Sequence, residues 1–437
     1  MPPEDPTTLA DWLALTHPRR AHHRAEAASR AATSTHGDWL HLADPVPHEP
    51  GPLAGIPFAV KDNIDVEGLS TTAGSPLLDT DPACADATVV SAVKALGGVV
   101  LGKTNLHELA FGITSNNRAF GPVRNPADPA RTAGGSSGGS AACVALGTVP
   151  FALGTDTGGS VTVPSSYCGI VGFRPTTGRY PGDGVVNLST TRDTIGLHTR
   201  TAHDARVLDE LITGEPAHAP IPLTGLRVGI VGRRYADLEP ELSRVAAETL
   251  SSLEQAGARL IEVDLPNDIE TAEGAGFDLV FHEAPRLLAR RVHADPSDWP
   301  GKIASPDVRA LIESMHTTPV TSAAYAAARA ARLHLRRAYL DLFTRVDVLL
   351  FPTSPVLPPH IGEDDVITHN GRLVPTFPTV TRNVAPGTVV GLPMLTLPAG
   401  TTATGLAVGI TLESHPFADT RLLRTAESVE TALRPNA

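Results

Sequence analysis

Two glycine–serine clusters stand close together in this chain: Gly134-Gly135-Ser136-Ser137-Gly138-Gly139 and, after a short apolar segment, Thr155-Asp156-Thr157-Gly158-Gly159-Ser160. A serine hydroxyl becomes a nucleophile when a neighbouring base takes its proton. Glycines beside it lack a Cβ, so their N–H groups can approach an oxygen closely and converge on it. In Gly158-Gly159-Ser160 the two properties coincide, as an oxyanion hole adjoining a nucleophile requires. A base stands upstream: Lys61 lies in the apolar run Phe58-Ala59-Val60-Lys61-Asp62-Asn63-Ile64, where strand alternation directs it to a buried side of a sheet. Burial disfavours an ammonium and lowers its pKa, so a buried lysine can be a neutral base at ordinary pH. The same residues also allow a strand-end lysine with its head in water, and residue chemistry alone leaves both readings open.

Two other patterns compete for these residues. Gly97 followed by Gly102-Lys103-Thr104 matches a phosphate-loop pattern. Such a loop must follow a strand and open a helix, whereas here a helix-like segment precedes and Val99-Val100-Leu101 reads as a buried strand. The pattern is therefore read as a helix-to-strand connection. Gly-x-Ser-x-Gly occurs twice in overlap, centred on Ser136 and Ser137, but a nucleophile elbow needs a strand immediately before it. The preceding RNPADPARTAGG is Pro- and Asp-rich loop sequence, which argues against a serine–histidine–aspartate triad despite 17 histidines.

The elements that must position these residues alternate between helix-like and strand-like. DATVVSAVKALGG reads as a helix and VVLGKTN as a strand, and the alternation continues through SAACVALG, VPFALGTDT and CGIVGFRP. The pattern implies an α/β fold with one large sheet covered by helices. Before it, Thr7 to Ala32 reads as one or two helices interrupted near Pro18, with a cap at Thr7 or Thr8, and a Pro-rich connector, ADPVPHEPGPLAG, follows. After it come a strand in LTGLRVGIVG, a helix from Glu239 to Gly257 and a strand in RLIEVDLP. A helical stretch from about Pro306 to Thr344, with Ser305 as cap, leads into the strand VDVLLFPTSPVLPP. GLPMLTLPAGTTATGLAVGITLES reads as strand, turn, strand, with a final helix from Thr420. No repeat or long low-complexity linker divides the chain, so we expect an N-terminal segment over residues 1–50 packed on one catalytic unit over residues 51–437.

Composition narrows the function classes. The 437 residues are 41% apolar and 19% charged, which suits a folded globular protein. A formal charge of −12 with no basic run disfavours nucleic acid as a partner. Cys84, Cys143 and Cys168 lie far apart with no C-x-x-C pair, so neither a disulfide framework nor a zinc site is implied. The N-terminal sequence lacks the basic and apolar regions of a signal peptide, and no stretch approaches the ~20 apolar residues of a membrane span. We expect a soluble, cytoplasmic protein.

The run from Gly134 to Pro175, together with GIPFAVKDNI upstream, resembles the amidase signature family, and the resemblance extends from about Gly55 to the C-terminal GLAVGITLES. It implies one large mixed β-sheet sandwiched by helices and hydrolysis of amide bonds through a Ser–cis-Ser–Lys triad, without cofactor or metal. By that resemblance Ser160 is the nucleophile, Ser136 the bridging serine after a cis peptide bond, and Lys61 the base. Thr157, Gly158, Gly159 and Ser160 would offer N–H groups to the oxyanion, with Gly135 beside the substrate. Ser137, Thr155 and Asp156 would brace the loops.

Within the family, HELAFGITSNN, FRPTTGRYPGDGVV and TRDT most resemble the indoleacetamide and mandelamide hydrolase branch. One departure matters: Thr162 and Val163 stand where relatives carry an arginine, and without it an anionic substrate loses a bidentate partner. A small neutral amide, aryl or apolar in its acyl part, is therefore expected, acted on by a monomer or homodimer. The alternatives are a carbamate or ester hydrolase with the same triad, one chain of a glutamine-dependent amidotransferase, and an inactive binding scaffold; the presence of all three triad residues argues against the last. The less family-like residues 268–344 are expected to shape the pocket.

Overall fold

The computed structural model describes residues 5–44 and 49–434. Part of the Pro-rich connector, residues 45–48, lies outside the described residues. The eleven strands of the main sheet are β1 (Trp39–Leu42), β2 (Pro57–Lys61), β3 (Val99–Thr104), β4 (Phe151–Asp156), β5 (Val171–Arg174), β6 (Thr194–Thr199), β7 (Arg227–Val231), β8 (Arg259–Val263), β9 (Val348–Pro352), β10 (Met394–Thr401) and β11 (Ala407–Glu413). Their spatial order is β1-β3-β2-β4-β6-β5-β10-β11-β9-β7-β8. The β3-β2-β4 group is parallel, as is the β9-β7-β8 group, and the strands between them are antiparallel, so the sheet is mixed.

Helices flank this sheet. They are α1 (Leu9–Leu13), α2 (His17–Ala32), α3 (Thr88–Ala95), α4 (Gly138–Ala145), α5 (Thr162–Cys168), α6 (Ala202–Thr213), α7 (Pro240–Gln255), α8 (Asp268–Leu288), α9 (Trp299–Lys302), α10 (Pro306–Thr317), α11 (Ser322–Leu342), α12 (Thr376–Thr381), α13 (Ala385–Val390) and α14 (Asp419–Leu433). Thr8 caps α1 by accepting from the Asp11 N–H at 3.0 Å, and Pro18 falls in the first turn of α2, where its missing N–H costs nothing. The N-terminal segment is not wholly helical, because β1 pairs with β3 at one edge of the sheet.

The helical stretch expected from about Pro306 to Thr344 is built as two helices, α10 and α11. Thr318 leaves the helical region at φ −133°, ψ 64°, as a residue before proline tends to, and Thr321 recaps the chain by accepting from the Ala324 N–H. Ser305 occupies the cap position of α10 without capping it; its hydroxyl accepts instead from the Arg118 N–H at 3.3 Å.

Every residue of β2 and β4 is buried, which explains why both are apolar up to their carboxyl ends: both faces are covered. Phe58 of β2 stacks on Phe151 of β4 with ring centroids 5.3 Å apart. Burying each such side chain contributes roughly 1.5–3 kcal/mol, and the result is a rigid pair of parallel strands whose carboxyl ends lie side by side. Lys61 ends one of them and Thr155-Asp156 ends the other. The phosphate-loop pattern dissolves in this frame: α3 leads into β3, and Lys103 is buried against Asp62 at 3.0 Å.

Candidate active site

Lys61 is wholly inaccessible to solvent. Its Nζ donates to Thr155 Oγ1 at 2.8 Å and lies 2.7 Å from Ser136 Oγ, so the open alternative of a lysine with its head in water does not apply. Thr155 Oγ1 also accepts from Asn63 Nδ2 at 3.0 Å, which fixes the amine from the far side. Burial pushes the Lys61 amine down to about 7, against the opposing pull of the Asp156 and Asp193 carboxylates. A large fraction is thus neutral near pH 7, with a lone pair free to turn toward the Ser136 hydroxyl.

The Gly135–Ser136 peptide bond is cis. The Ser136 carbonyl accepts from the His107 N–H at 3.1 Å and from Ser115 Oγ at 3.3 Å. No strand precedes the cluster, and α4 begins directly after Ser137. Ser137 joins the two clusters: its N–H donates to the Ser160 carbonyl at 3.2 Å and its hydroxyl to the Thr155 carbonyl at 3.1 Å. Asp156 braces the second cluster, accepting from the Gly159 N–H at 3.0 Å and the Val161 N–H at 2.7 Å.

That brace corrects one expectation. The Gly159 N–H is spent on Asp156 and does not face a ligand. Gly159 is required for another reason: its φ of +119° is closed to side chains, and a Cβ would lie 2.8 Å from Val384 Cγ2. The N–H groups of Thr157, Gly158 and Ser160 have no acceptor among the described residues, and all three residues line a cavity of about 440 Å³. Gly135 likewise does not reach that cavity; it packs where a Cβ would lie 2.8 Å from Ser115 Oγ.

Apolar residues dominate the cavity wall. Phe277 packs against both Phe281 and Phe377 with centroids 5.7 Å apart in each case, and Phe111, Leu188 and Ile113 face the same space. The α8 and α10 residues come from the stretch expected to shape the pocket. The wall formed by Asp364, Asp365 and Phe377 to Ala385 lies outside it, and nothing in its sequence period announced it.

His107 meets Asp307 in this cavity, Nε2 to Oδ2 at 2.9 Å, but its Nδ1 accepts from the Ser115 N–H at 3.1 Å. Both ring nitrogens are occupied and neither serves a serine of the two clusters. His198, beneath the sheet end, is paired with Ser165 at 2.8 Å and held neutral by burial, which pushes it down to about 3.

Three further residues, missed in the sequence, organise the site. Asp193 accepts from Thr157 Oγ1 at 2.7 Å and from the N–H groups of Leu188 and Ser189, and burial pushes its carboxyl up to about 6. Glu283 of α8 accepts from Ser189 Oγ at 2.6 Å, Tyr325 OH at 2.7 Å, the Thr191 N–H at 3.1 Å and the Thr191 hydroxyl. Arg192 brings a cation to the cavity although Thr162 and Val163 supply none. Thr162 instead donates its hydroxyl to the Gly159 carbonyl at 3.2 Å. The TRDT string was the only signal for Arg192 and Asp193.

A large mixed sheet flanked by helices, with a cavity facing the loop after β4, agrees with a hydrolase acting on amide C–N bonds, the activity that the family and the relatives support. The chain belongs to the amidase family, whose model matches residues 19–423. It is 38% identical over 392 residues to an indoleacetamide hydrolase of Agrobacterium vitis, covering 87% of this chain and 84% of that one. To a mandelamide hydrolase of Pseudomonas putida it is 37% identical over 410 residues, covering 88% and 80%. A crystal structure of an amidase superposes with a TM-score of 0.85 at 30% identity over 96% of each chain. No helix among the described residues is long and apolar enough to cross a membrane.

Proposed function

We propose that the protein hydrolyses a small neutral amide with an aryl or apolar acyl group, through a Ser160–Ser136–Lys61 relay and an acyl-enzyme. The observation that carries the reading is the buried Lys61 amine, lowered to about 7 and 2.7 Å from Ser136 Oγ, behind a phenylalanine-lined cavity that Ser160 faces. Neutral Lys61 takes the proton of Ser136 as Ser136 takes that of Ser160, and Ser160 Oγ attacks the carbonyl carbon. The N–H groups of Thr157, Gly158 and Ser160 receive the developing oxyanion, each contributing about 3 kcal/mol if it behaves as such donors do. The Lys61 proton returns through Ser136 to the departing nitrogen, the C–N bond breaks, and water repeats the sequence on the ester to release the acid.

The phenylalanines favour an aryl acyl group, since aromatic faces gain from edge and offset contacts. Similarity to the indoleacetamide and mandelamide hydrolases supports the same class. An amidotransferase role would need partner chains. The test is a hydrolysis panel of arylacetamides, anilides, carbamates, esters and glutamine, run with wild type and Ser160→Ala. Arylacetamides turned over by wild type alone is the expected result; turnover by Ser160→Ala would overturn the mechanism.

A further inference from the structure

His107 is buried in the wall of the reaction cavity, and its ring is held at both nitrogens. Nδ1 accepts from the Ser115 N–H at 3.1 Å, so the proton of the neutral imidazole lies on Nε2, which donates to Asp307 Oδ2 at 2.9 Å. Thr114 Oγ1 also lies 3.3 Å from Nδ1, but its proton goes to Asp364 Oδ1 at 2.5 Å. The imidazole is thus a rigid spacer between the first turn of α10 and the backbone of Ser115.

Ser115 needs that support. Its φ of +55° lies in the left-handed region, which a serine keeps only where its surroundings enforce it. From there its hydroxyl accepts from the Gly138 N–H at 3.2 Å and donates to the Ser136 carbonyl at 3.3 Å, gripping the start of α4 at two points. The His107 N–H adds a second donor to the same carbonyl at 3.1 Å. Three glycines leave room for these contacts: a Cβ on Gly138 would lie 2.5 Å and one on Gly135 2.8 Å from Ser115 Oγ, while one on Gly112 would strike the His107 ring. With its carbonyl fixed by two donors, Ser136 has little freedom to swing its Oγ away from Lys61 Nζ, 2.7 Å distant.

We propose that His107 is a positioning residue for the proton relay: its Nδ1 holds Ser115 in place, and Ser115 in turn fixes the backbone from which Ser136 reaches Lys61. The ring touches no serine of the two clusters and acts through Ser115 alone. Asp307, at the other nitrogen, fixes the ring and so connects the cavity wall built by α10 to the relay. This rests on the amide-hydrolase reading, in which Ser136 passes the proton between Ser160 and Lys61.

The experiment measures kcat and KM for 2-phenylacetamide and propionamide, and the rate of fluorophosphonate labelling, in wild type, His107→Asn, His107→Gln, Ser115→Ala and the His107→Gln/Ser115→Ala double variant. Asparagine branches at Cγ as histidine does and can set an acceptor where Nδ1 stands, whereas glutamine reaches the place of Nε2 and leaves the Ser115 N–H without an acceptor. His107→Gln is expected to lose about 100-fold in kcat, the effect of a misplacement on the order of 1 Å, and His107→Asn about tenfold or less. KM should move by less than about threefold in both, and the loss should be the same for the two amides, because the relay serves any acyl group. Ser115→Ala should lower kcat by about tenfold, and the double variant should be within about twofold of His107→Gln, since the two residues act in series. Labelling should slow in the same order. A loss in His107→Asn equal to that in His107→Gln would place the effect at Asp307 and overturn the assignment. A loss confined to KM or to the aryl amide, or losses that multiply in the double variant, would overturn it too. Where a His107 variant does not fold, Ser115→Ala, which keeps the Ser115 N–H, still decides: wild-type kcat there would sink the proposal. Wild type inert toward both amides would instead strike the amide-hydrolase reading, and the labelling rates, which need no amide, would still rank the variants.

Discussion

Thr157 donates its hydroxyl to Asp193 at 2.7 Å, joining the loop that lines the cavity to the loop that enters β6. The carboxylate that makes this bond also raises the pKa of Lys61, against its burial. Asp193→Asn is therefore expected to act twice. The loop loses its anchor, lowering kcat/KM on the order of tenfold, and the acid limb of the pH profile moves to lower pH because a negative charge near Lys61 is gone. A loss of activity with an unmoved acid limb would separate the anchor from the charge.

In wild type the base form of Lys61 is the neutral amine, so kcat/KM for a neutral amide should rise with pH through about 7 and level off above it. An unperturbed lysine would place that limb near 10.4. A pH–rate profile measured with a substrate that does not titrate distinguishes the two.

Lys61→Ala and Ser136→Ala should each lower kcat by several orders of magnitude, and the double variant should be little worse than either, as for residues that act as one unit. Rapid-quench or steady-state rates over the three variants give the comparison. Labelling by a fluorophosphonate should be lost in Ser160→Ala and slowed in the other two.

Glu283 accepts from Ser189, Thr191 and Tyr325, and so holds α8 and α11 to the loop that carries Arg192. Glu283→Ala leaves those donors facing no carboxylate, at a cost of about 1–3 kcal/mol. Thermal unfolding should occur at lower temperature, and KM should rise by a larger factor than kcat falls. Tyr325→Phe, which removes one donor, should show a smaller shift in the same direction.

Phe377 packs on Phe277 and stands 3.8 Å from where a Gly158 side chain would begin. Its replacement by alanine should raise KM for arylacetamides by roughly tenfold while leaving a small aliphatic amide less affected, since the lost area is the aryl contact. Paired kinetics on the two substrates check this.

Which of these residues the sequence could reveal depends on how local their reasons are. A role for Ser136 came only from resemblance to the amidase signature family, whereas Lys61 and Ser160 stood out locally, as a lysine on an apolar strand and a serine beside two glycines, although local sequence left open whether the lysine was buried. Large parts of the sheet were legible for the same reason: β2, β3, β4 and β7 each read as an apolar run between turns. Gly159 was misjudged because the partner of its N–H is a side chain three residues back, and only the turn's geometry decides that Asp156 reaches it. The break at Thr318 was overlooked although Pro319 marks it. Glu283 and Arg192 were invisible in a stronger sense, since their roles arise from contacts such as Ser189 to Glu283 and Arg192 to Thr388 that join distant parts of the chain.

The excursion from β8 to β9 has a bearing on how such a protein can change. The chain leaves the sheet after Val263, builds α8 to α11, and re-enters at Val348 beside β7, while Lys61, Ser136 and Ser160 all come from the first half of the sequence. Exchanging this one uninterrupted segment can thus alter part of the cavity wall without touching Lys61, Ser136 or Ser160, while Phe377 and its neighbours stay in place. Glu283 sets the terms of the graft: because it grips Ser189 and Thr191, a transplanted segment must bring its own version of residues 188–193 with it.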